Sequence, residues 1–291
     1  MPVSGAMDTY AFTVANLLVG NEPSDAGLEA TLFGLELRFL SEAQIALTGA
    51  TFNPTVNGER VARWRTLQIR TGDVLSLGSS QSGCRAYLAV RGGIDVPVVF
   101  GSRATCVRGG LGGLHGRQLR TGDVLEAHES AAPLVMGFSV PTEAVPEYDD
   151  ELLIDVVLGP QTDCFTEKGL VTFFSSVYEV TTESDRMGYR LEGAEVERRD
   201  LLDIVSDALP VGAIQVPRNG KPIILLRDAQ TTGGYPKIAV VTTPDVSRMG
   251  QAKPRDRIRF RKVSPSKARD RLLKYRQALN LLKKRLIESR L

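Results

Sequence analysis

The chain has 291 residues, 42% hydrophobic and 24% charged, with a formal net charge of +2. That is the balance of a globular protein with two domains around a substantial core. No apolar run approaches the ~20 residues that span a bilayer. The start, Met-Pro-Val-Ser-Gly-Ala-Met-Asp, lacks the pattern of a secretion signal, so the expected location is the cytoplasm. Cys84, Cys106 and Cys164 are too widely spaced for a disulfide framework or a Cys-x-x-Cys metal site.

In chain order, Asp8 is placed to cap a helix running to Val19 and ended by Gly20. Runs rich in β-branched and aromatic residues, bounded by Gly, Pro, Asp or Asn, predict strands at 35–40, 86–90, 152–158, 171–180, 223–226 and 238–242. Ser266 is placed to cap a last helix in which Leu272, Leu273, Tyr275, Leu279, Leu282 and Leu286 recur near a 3.6 period. The Pro- and acid-rich stretch 141–150 has little to bury and divides a first half, 1–145, from a second, 146–291. The pattern predicts a mainly β protein with two barrel-like halves, few helices and a C-terminal helix.

A short repeat supports that reading. Residues 67–75 are LQIRTGDVL, residues 117–125 are RQLRTGDVL, and a degraded copy, KPRDRIRF, lies at 253–260. Each is a tight corner, an Asp and then alternating apolar positions, as at the start of a strand. From Lys253 onward there are 15 basic and 3 acidic residues. Because these basic residues alternate with apolar ones, they read as solvated faces of a last strand and helix. Aromatic residues, here only Phe260 and Tyr275, are too sparse to stack bases.

Several chemistries are excluded. His115 and His128 have no flanking ligand pattern for a metal, and there is no Gly-x-Ser-x-Gly elbow. The loop Gly-Gly-Leu-Gly-Gly-Leu-His-Gly at 109–116 has His115 where a dinucleotide fingerprint needs its third glycine, and no Gly-Lys-Ser/Thr loop exists. The sequence therefore shows no recognisable nucleotide site.

Three segments carry a resemblance: YLAVRGGIDVPVVFGSRATCVRGGLGG at 87–113, SDRMGYRLEG at 184–193 and GAIQVPRNGKPIILLRDAQTTGGYPKIAVV at 212–241. Together they resemble the allophanate hydrolase subunit 2 family. That family includes the C-type component of bacterial 5-oxoprolinase, the C-terminal half of the urea carboxylase carboxyltransferase domain, and the Kip-type antagonist of a kinase inhibitor. Family members usually carry a longer segment before the Pro-Val-Ser-Gly-Ala-Met-Asp stretch. Here the chain starts inside the pattern, so either the start lies upstream or an N-terminal strand is missing and a sheet edge is exposed.

The resemblance implies cyclophilin-like barrels and an obligate partner, the Kip inhibitor-like subunit 1 protein that forms the B component of 5-oxoprolinase. It also implies a LamB/YcsF-type A component. The implied reaction opens 5-oxo-L-proline to L-glutamate, with ATP used by the complex and no cofactor assigned to this chain. The alternatives are a carboxyltransferase component, for which biotin would be the cofactor, and a non-catalytic regulator. With no fused subunit 1 half and no Met-Lys-Met biotin sequence in the chain, 5-oxoprolinase is the expected function.

Asp185, Arg186 and Arg190 surround Met187, Gly188 and Tyr189, and an arginine fork there suits a carboxylate or phosphate. The structural alternative is an Arg-Asp brace around a tight turn. Asp228, Gln230, Thr231, Thr232 and Tyr235 sit beside Gly233 and Gly234, where bare backbone admits a ligand and Gln and Tyr can bond an amide. The expected catalytic residues are Gln230, Tyr235, Asp228 and Arg186. The expected binding residues are Gln215, Thr231, Thr232, Gly233, Gly234, Lys237, Asp185, Arg190 and, in the first half, Arg103, which leads the weaker group Arg91, Asp95 and Ser102.

Overall fold

The structure is a computed structural model and describes residues 2–130, 137–199 and 203–288. The chain forms two compact units, one of residues 1–7 and 149–276 and the other of residues 8–148 and 277–291.

The first unit is built on a closed barrel. Its order is Tyr178–Val180, Gly188–Glu192, Ile223–Leu225, Ala213–Gln215, Lys237–Val241, Glu151–Leu158 and Arg257–Lys262, which returns to Tyr178–Val180. Neighbours are antiparallel except Glu151–Leu158 with Arg257–Lys262, which run parallel in the register Phe260 to Ile154. Closure removes the free edges a flat sheet would expose. Inside lie Ile154, Tyr178, Tyr189, Ile214, Ile224, Ile238, Ile258 and Phe260, all buried. Their alternation with exposed residues, as in Arg257–Lys262, is the period-2 pattern of a half-buried strand.

The second unit holds two four-stranded sheets. One has the order Leu28–Thr31, Ser82–Val90, Ala43–Thr51 and Thr66–Ile69; the other Glu36–Arg38, Val74–Ser76, Thr55–Val56 and Glu59–Arg60. Helix α1, Thr9–Leu18, is capped as the sequence predicts: the Asp8 carboxylate accepts the Ala11 N–H at 3.0 Å, and Gly20 turns left-handed at φ 82°. No helix among the described residues is long and apolar enough to cross a membrane.

Two expectations need correction. Residues 171–180 are not one strand, because Glu167–Ser175 is helix α2 and only Tyr178–Val180 is extended. The Thr166 hydroxyl accepts the Gly169 N–H at 2.9 Å, and the helix places Phe173 flat on Phe260 at 4.5 Å between ring centres. A cap and a buried aromatic stack override the β propensity of the run. Helix α3, Thr243–Met249, follows the barrel strand ending at Val241. The last helix, α4, runs from Pro265 to Glu288, and Ser264 rather than Ser266 accepts the Lys267 N–H at 3.2 Å. Pro265 fits the first helical position because its missing N–H would have no partner there.

The repeat folds as one turn three times. The carboxylates of Asp73, Asp123 and Asp256 accept the backbone N–H of Arg70, Arg120 and Lys253 at 2.8, 2.7 and 2.9 Å. In return each Asp N–H donates to the carbonyl of that same residue at 3.1 Å. The residue before the Asp is left-handed in every copy: Gly72 (φ 91°), Gly122 (92°) and Arg255 (78°). The other Asp oxygen takes a different donor each time: Asn57 at 2.7 Å, Arg117 at 2.8 Å and the Lys253 ammonium at 2.9 Å.

Candidate functional site

The chemistry-bearing residues of the barrel unit collect around Lys237, the first residue of the strand Lys237–Val241. Its side chain is 3% exposed. The Nζ donates to Asp207 Oδ2 at 2.6 Å and to the Ala208 carbonyl at 3.2 Å, so the third ammonium hydrogen has no acceptor among the described residues. A buried ammonium is tolerated when paired and hydrogen-bonded. Asp207 supplies the pairing charge while half exposed, which leaves the pair accessible from one side.

Backbone pairing brings Asp207 there. Asp207–Ala208 pairs with Thr232–Gly233 in a two-stranded sheet, with Asp207 opposite Gly233. Gln161 fastens both partners: its carbonyl oxygen accepts the Lys237 N–H at 3.2 Å and its amide donates to Asp207 at 3.3 Å. The Lys237 hydrogen bond holds the Asp207 carboxyl below the usual carboxylate range, helped by the Ala208 N–H. Gln215 is buried at 2% and donates to the Tyr235 carbonyl at 3.1 Å. A methyl at Gly233 would lie 2.8 Å from Leu209 Cδ1 and 3.2 Å from the Gln215 amide nitrogen, so a side chain there would have to displace both side-chain ends.

Of the residues singled out in the sequence, the structure therefore brings together Lys237, Gln215, Thr232, Gly233, Gly234 and Tyr235. The Gly234 carbonyl accepts the Ile204 N–H. Gln230 and Thr231 are exposed beside them, and the Tyr235 ring is 40% exposed. Arg186 and Asp228 instead turn toward each other, with Nε and Nη2 on the two carboxylate oxygens at 2.8 and 3.2 Å and Nη2 also on the Gly5 carbonyl at 2.6 Å. This is the bracing geometry that the residue types also allow. Asp185 closes a local turn by accepting the Met187 and Gly188 N–H groups. Arg190 is exposed beside Glu183. Arg103 belongs to the other unit.

Asp207 and Gln161 are functional candidates that sequence reasoning missed. They lie 30 and 76 residues from Lys237 and sit in no motif. A second buried network, also missed, joins α3 and α4 to the barrel. Asp155 and Asp245 are buried. Arg271 reaches both, at 2.8 and 3.2 Å on Asp245, while Arg261 holds Asp155 at 2.6 Å and Arg248 holds Asp245 at 2.8 Å. Every carboxylate oxygen in it is engaged, so its role is structural. Among the described residues no cluster of His, Cys, Asp or Glu is poised to hold a metal.

Comparison with known proteins agrees with this architecture. The model of the carboxyltransferase domain, subdomains A and B, matches residues 1–262. The C-type component of 5-oxoprolinase from Escherichia coli is 40% identical over 248 residues, covering 85% of this chain and 78% of that protein. The protein of the same name from Haemophilus influenzae is 33% identical over 264 residues, covering 91% of this chain and 84% of that protein. The crystal structure of the K. lactis urea amidolyase superposes with a TM-score of 0.91 at 33% identity; it covers 97% of this chain, which spans 18% of that protein. The chain belongs to the carboxyltransferase domain family, subdomains A and B.

Proposed function

We propose that this chain is the C-type component of a 5-oxoprolinase and acts in the ATP-dependent opening of 5-oxo-L-proline to L-glutamate. The partners in this reading are a subunit 1-like B component and a LamB/YcsF-type A component. The observation that carries the chemistry is the buried Lys237 ammonium, with two donors engaged and one unassigned. A lactam carbonyl oxygen gains negative charge as its carbon is attacked, and a fixed donor in a dry site stabilises that charge far better than water does. Lys237 is the donor to the carbonyl oxygen, Asp207 and Gln161 hold it in place, and Gln215 and the Thr-Thr-Gly-Gly-Tyr loop orient the ring. The 40% identity to a 5-oxoprolinase component over 85% of the chain supports this substrate.

The TM-score of 0.91 to a urea amidolyase favours a second reading, transfer of a carboxyl group to urea from a biotin carried elsewhere. Urea is also a planar, amide-like acceptor, and the same polarising donor would serve. The test is substrate choice by the chain assembled with its partner proteins. Glutamate release that requires both ATP and 5-oxo-L-proline supports the lactam reading. Consumption of carboxybiotin with urea and no glutamate release replaces it.

A further inference from the structure

One loop of the second unit holds an arginine that the described structure leaves without a partner. From Val96 to Gly122 the sequence has four arginines and no Asp or Glu. Arg103 is partly buried, its Nε is fully shielded with no hydrogen-bond partner, and it forms no ion pair among the described residues. The other arginines of the unit with a shielded, unbonded Nε do have partners: Arg85 pairs with Glu29 at 3.6 Å and Arg91 donates through Nη2 to the Ser130 carbonyl at 3.1 Å. A shielded donor without an acceptor is costly, and such exceptions call for an explanation, here a ligand.

The same loop presents free amides. The Leu111 N–H is bonded to the Cys106 carbonyl, and the Gly116 N–H to that of Gly112. The four consecutive N–H groups between them, of Gly112, Gly113, Leu114 and His115, have no acceptor among the described residues. Gly112 and Gly113 are left-handed (φ 70° and 51°), and Gly113 is buried. Successive amides in such turns form concavities that hold anions. This stretch packs on the residues that follow Arg103: a methyl at Gly112 would lie 2.1 Å from the Ala104 carbonyl oxygen, and one at Gly113 1.8 Å from the Thr105 hydroxyl.

The geometry points to an oxyanion site in this loop, formed by the Arg103 guanidinium and the amides of residues 112–115, for a phosphate or phosphoryl group. A tetrahedral dianion offers enough acceptors for a guanidinium fork and several amides together. A carboxylate would leave donors unmatched. The site lies in a different unit from Lys237 and stands apart from the lactam reading.

The test is thermal unfolding and calorimetry of the full chain with inorganic phosphate, at ionic strength fixed with chloride. Phosphate raises the melting temperature of the wild type and of Arg120→Gln, which removes an exposed charge from the same stretch. It does not raise that of Arg103→Gln, whose affinity for phosphate falls by at least about tenfold. Without phosphate, Arg103→Gln melts at or above the wild type, since no partner is lost. ATP without magnesium that competes with phosphate and binds more tightly assigns the group to a nucleotide. Equal binding assigns it to free phosphate. The inference is overturned if neither anion binds, if both variants lose affinity equally, or if Arg103→Gln melts well below the wild type in phosphate-free buffer.

Discussion

Lys237 and Asp207 meet at 2.6 Å although one is 3% exposed and the other 49%. The pair therefore joins a dry donor to a wet counter-charge, and Gln161 holds both. Asp207→Asn should weaken the hold on the ammonium while keeping the fold, because the carboxylate is at the surface. The expected result is a loss of turnover smaller than that caused by removing Lys237 itself, with far-ultraviolet circular dichroism unchanged. Unfolding of the variant would assign the pair a purely structural role.

The Asp155, Asp245 and Arg271 network should behave in the opposite way. Burial pushes the Asp155 carboxyl up, but the Arg261 hydrogen bond and the Arg271 charge outweigh it and hold the group below its usual value. A depressed carboxylate contributes stability that is present above the unfolded value, about 3.9, and lost as pH falls through the folded one. Arg271→Met leaves two buried acids short of a partner and should cost about 2–3 kcal/mol at neutral pH. Denaturant unfolding measures this, and the deficit should shrink on acidification below about pH 4.

The three Asp turns give a comparison at constant geometry. The backbone hydrogen bond from Arg70 holds Asp73 below the ordinary range, and the Arg117 fork holds Asp123 below it. Burial raises Asp256 despite its Lys253 partner. Asp73 and Asp123 therefore support the fold above the unfolded carboxylate value and lose that support as pH falls, whereas ionising Asp256 opposes the fold as pH rises. Carboxyl carbon titration by nuclear magnetic resonance should place Asp256 above about 3.9 and the other two below. The reverse order would show that the turn, and not burial, sets these values.

The same comparison singles out Arg255, the non-glycine residue in the left-handed position that Gly72 and Gly122 fill. A side chain there costs roughly 1–2 kcal/mol, partly offset by the greater unfolded freedom of glycine. Arg255→Gly should therefore be neutral or stabilising by up to about 1 kcal/mol. A loss of stability in urea would mean that the Arg255 side chain makes a compensating contact.

What was legible in the sequence was local. The Asp8 cap and the repeated Asp turn are written within a few residues, so the sequence carries both. Phe173 shows the limit: its run favours a strand, but the stack on Phe260, 87 positions away, selects a helix. The site divides along the same line. The Gln-Thr-Thr-Gly-Gly-Tyr-Pro-Lys run stands out by composition, and Gln215 by its strand. Asp207 and Gln161 are invisible because only barrel closure and a two-residue pairing bring them to Lys237. Arg186 and Asp228 were visible as residue types, but only the folded chain shows that they bond each other.

The central claim is that Lys237 polarises the substrate carbonyl, and the most direct measurement is turnover by the assembled enzyme carrying Lys237→Met. The variant replaces the ammonium with an apolar chain of similar length. The expected result is normal assembly with the partner proteins and a fall of at least about a hundredfold in the rate of glutamate release from 5-oxo-L-proline. A correctly assembled Lys237→Met enzyme that turns over at the wild-type rate would contradict the account.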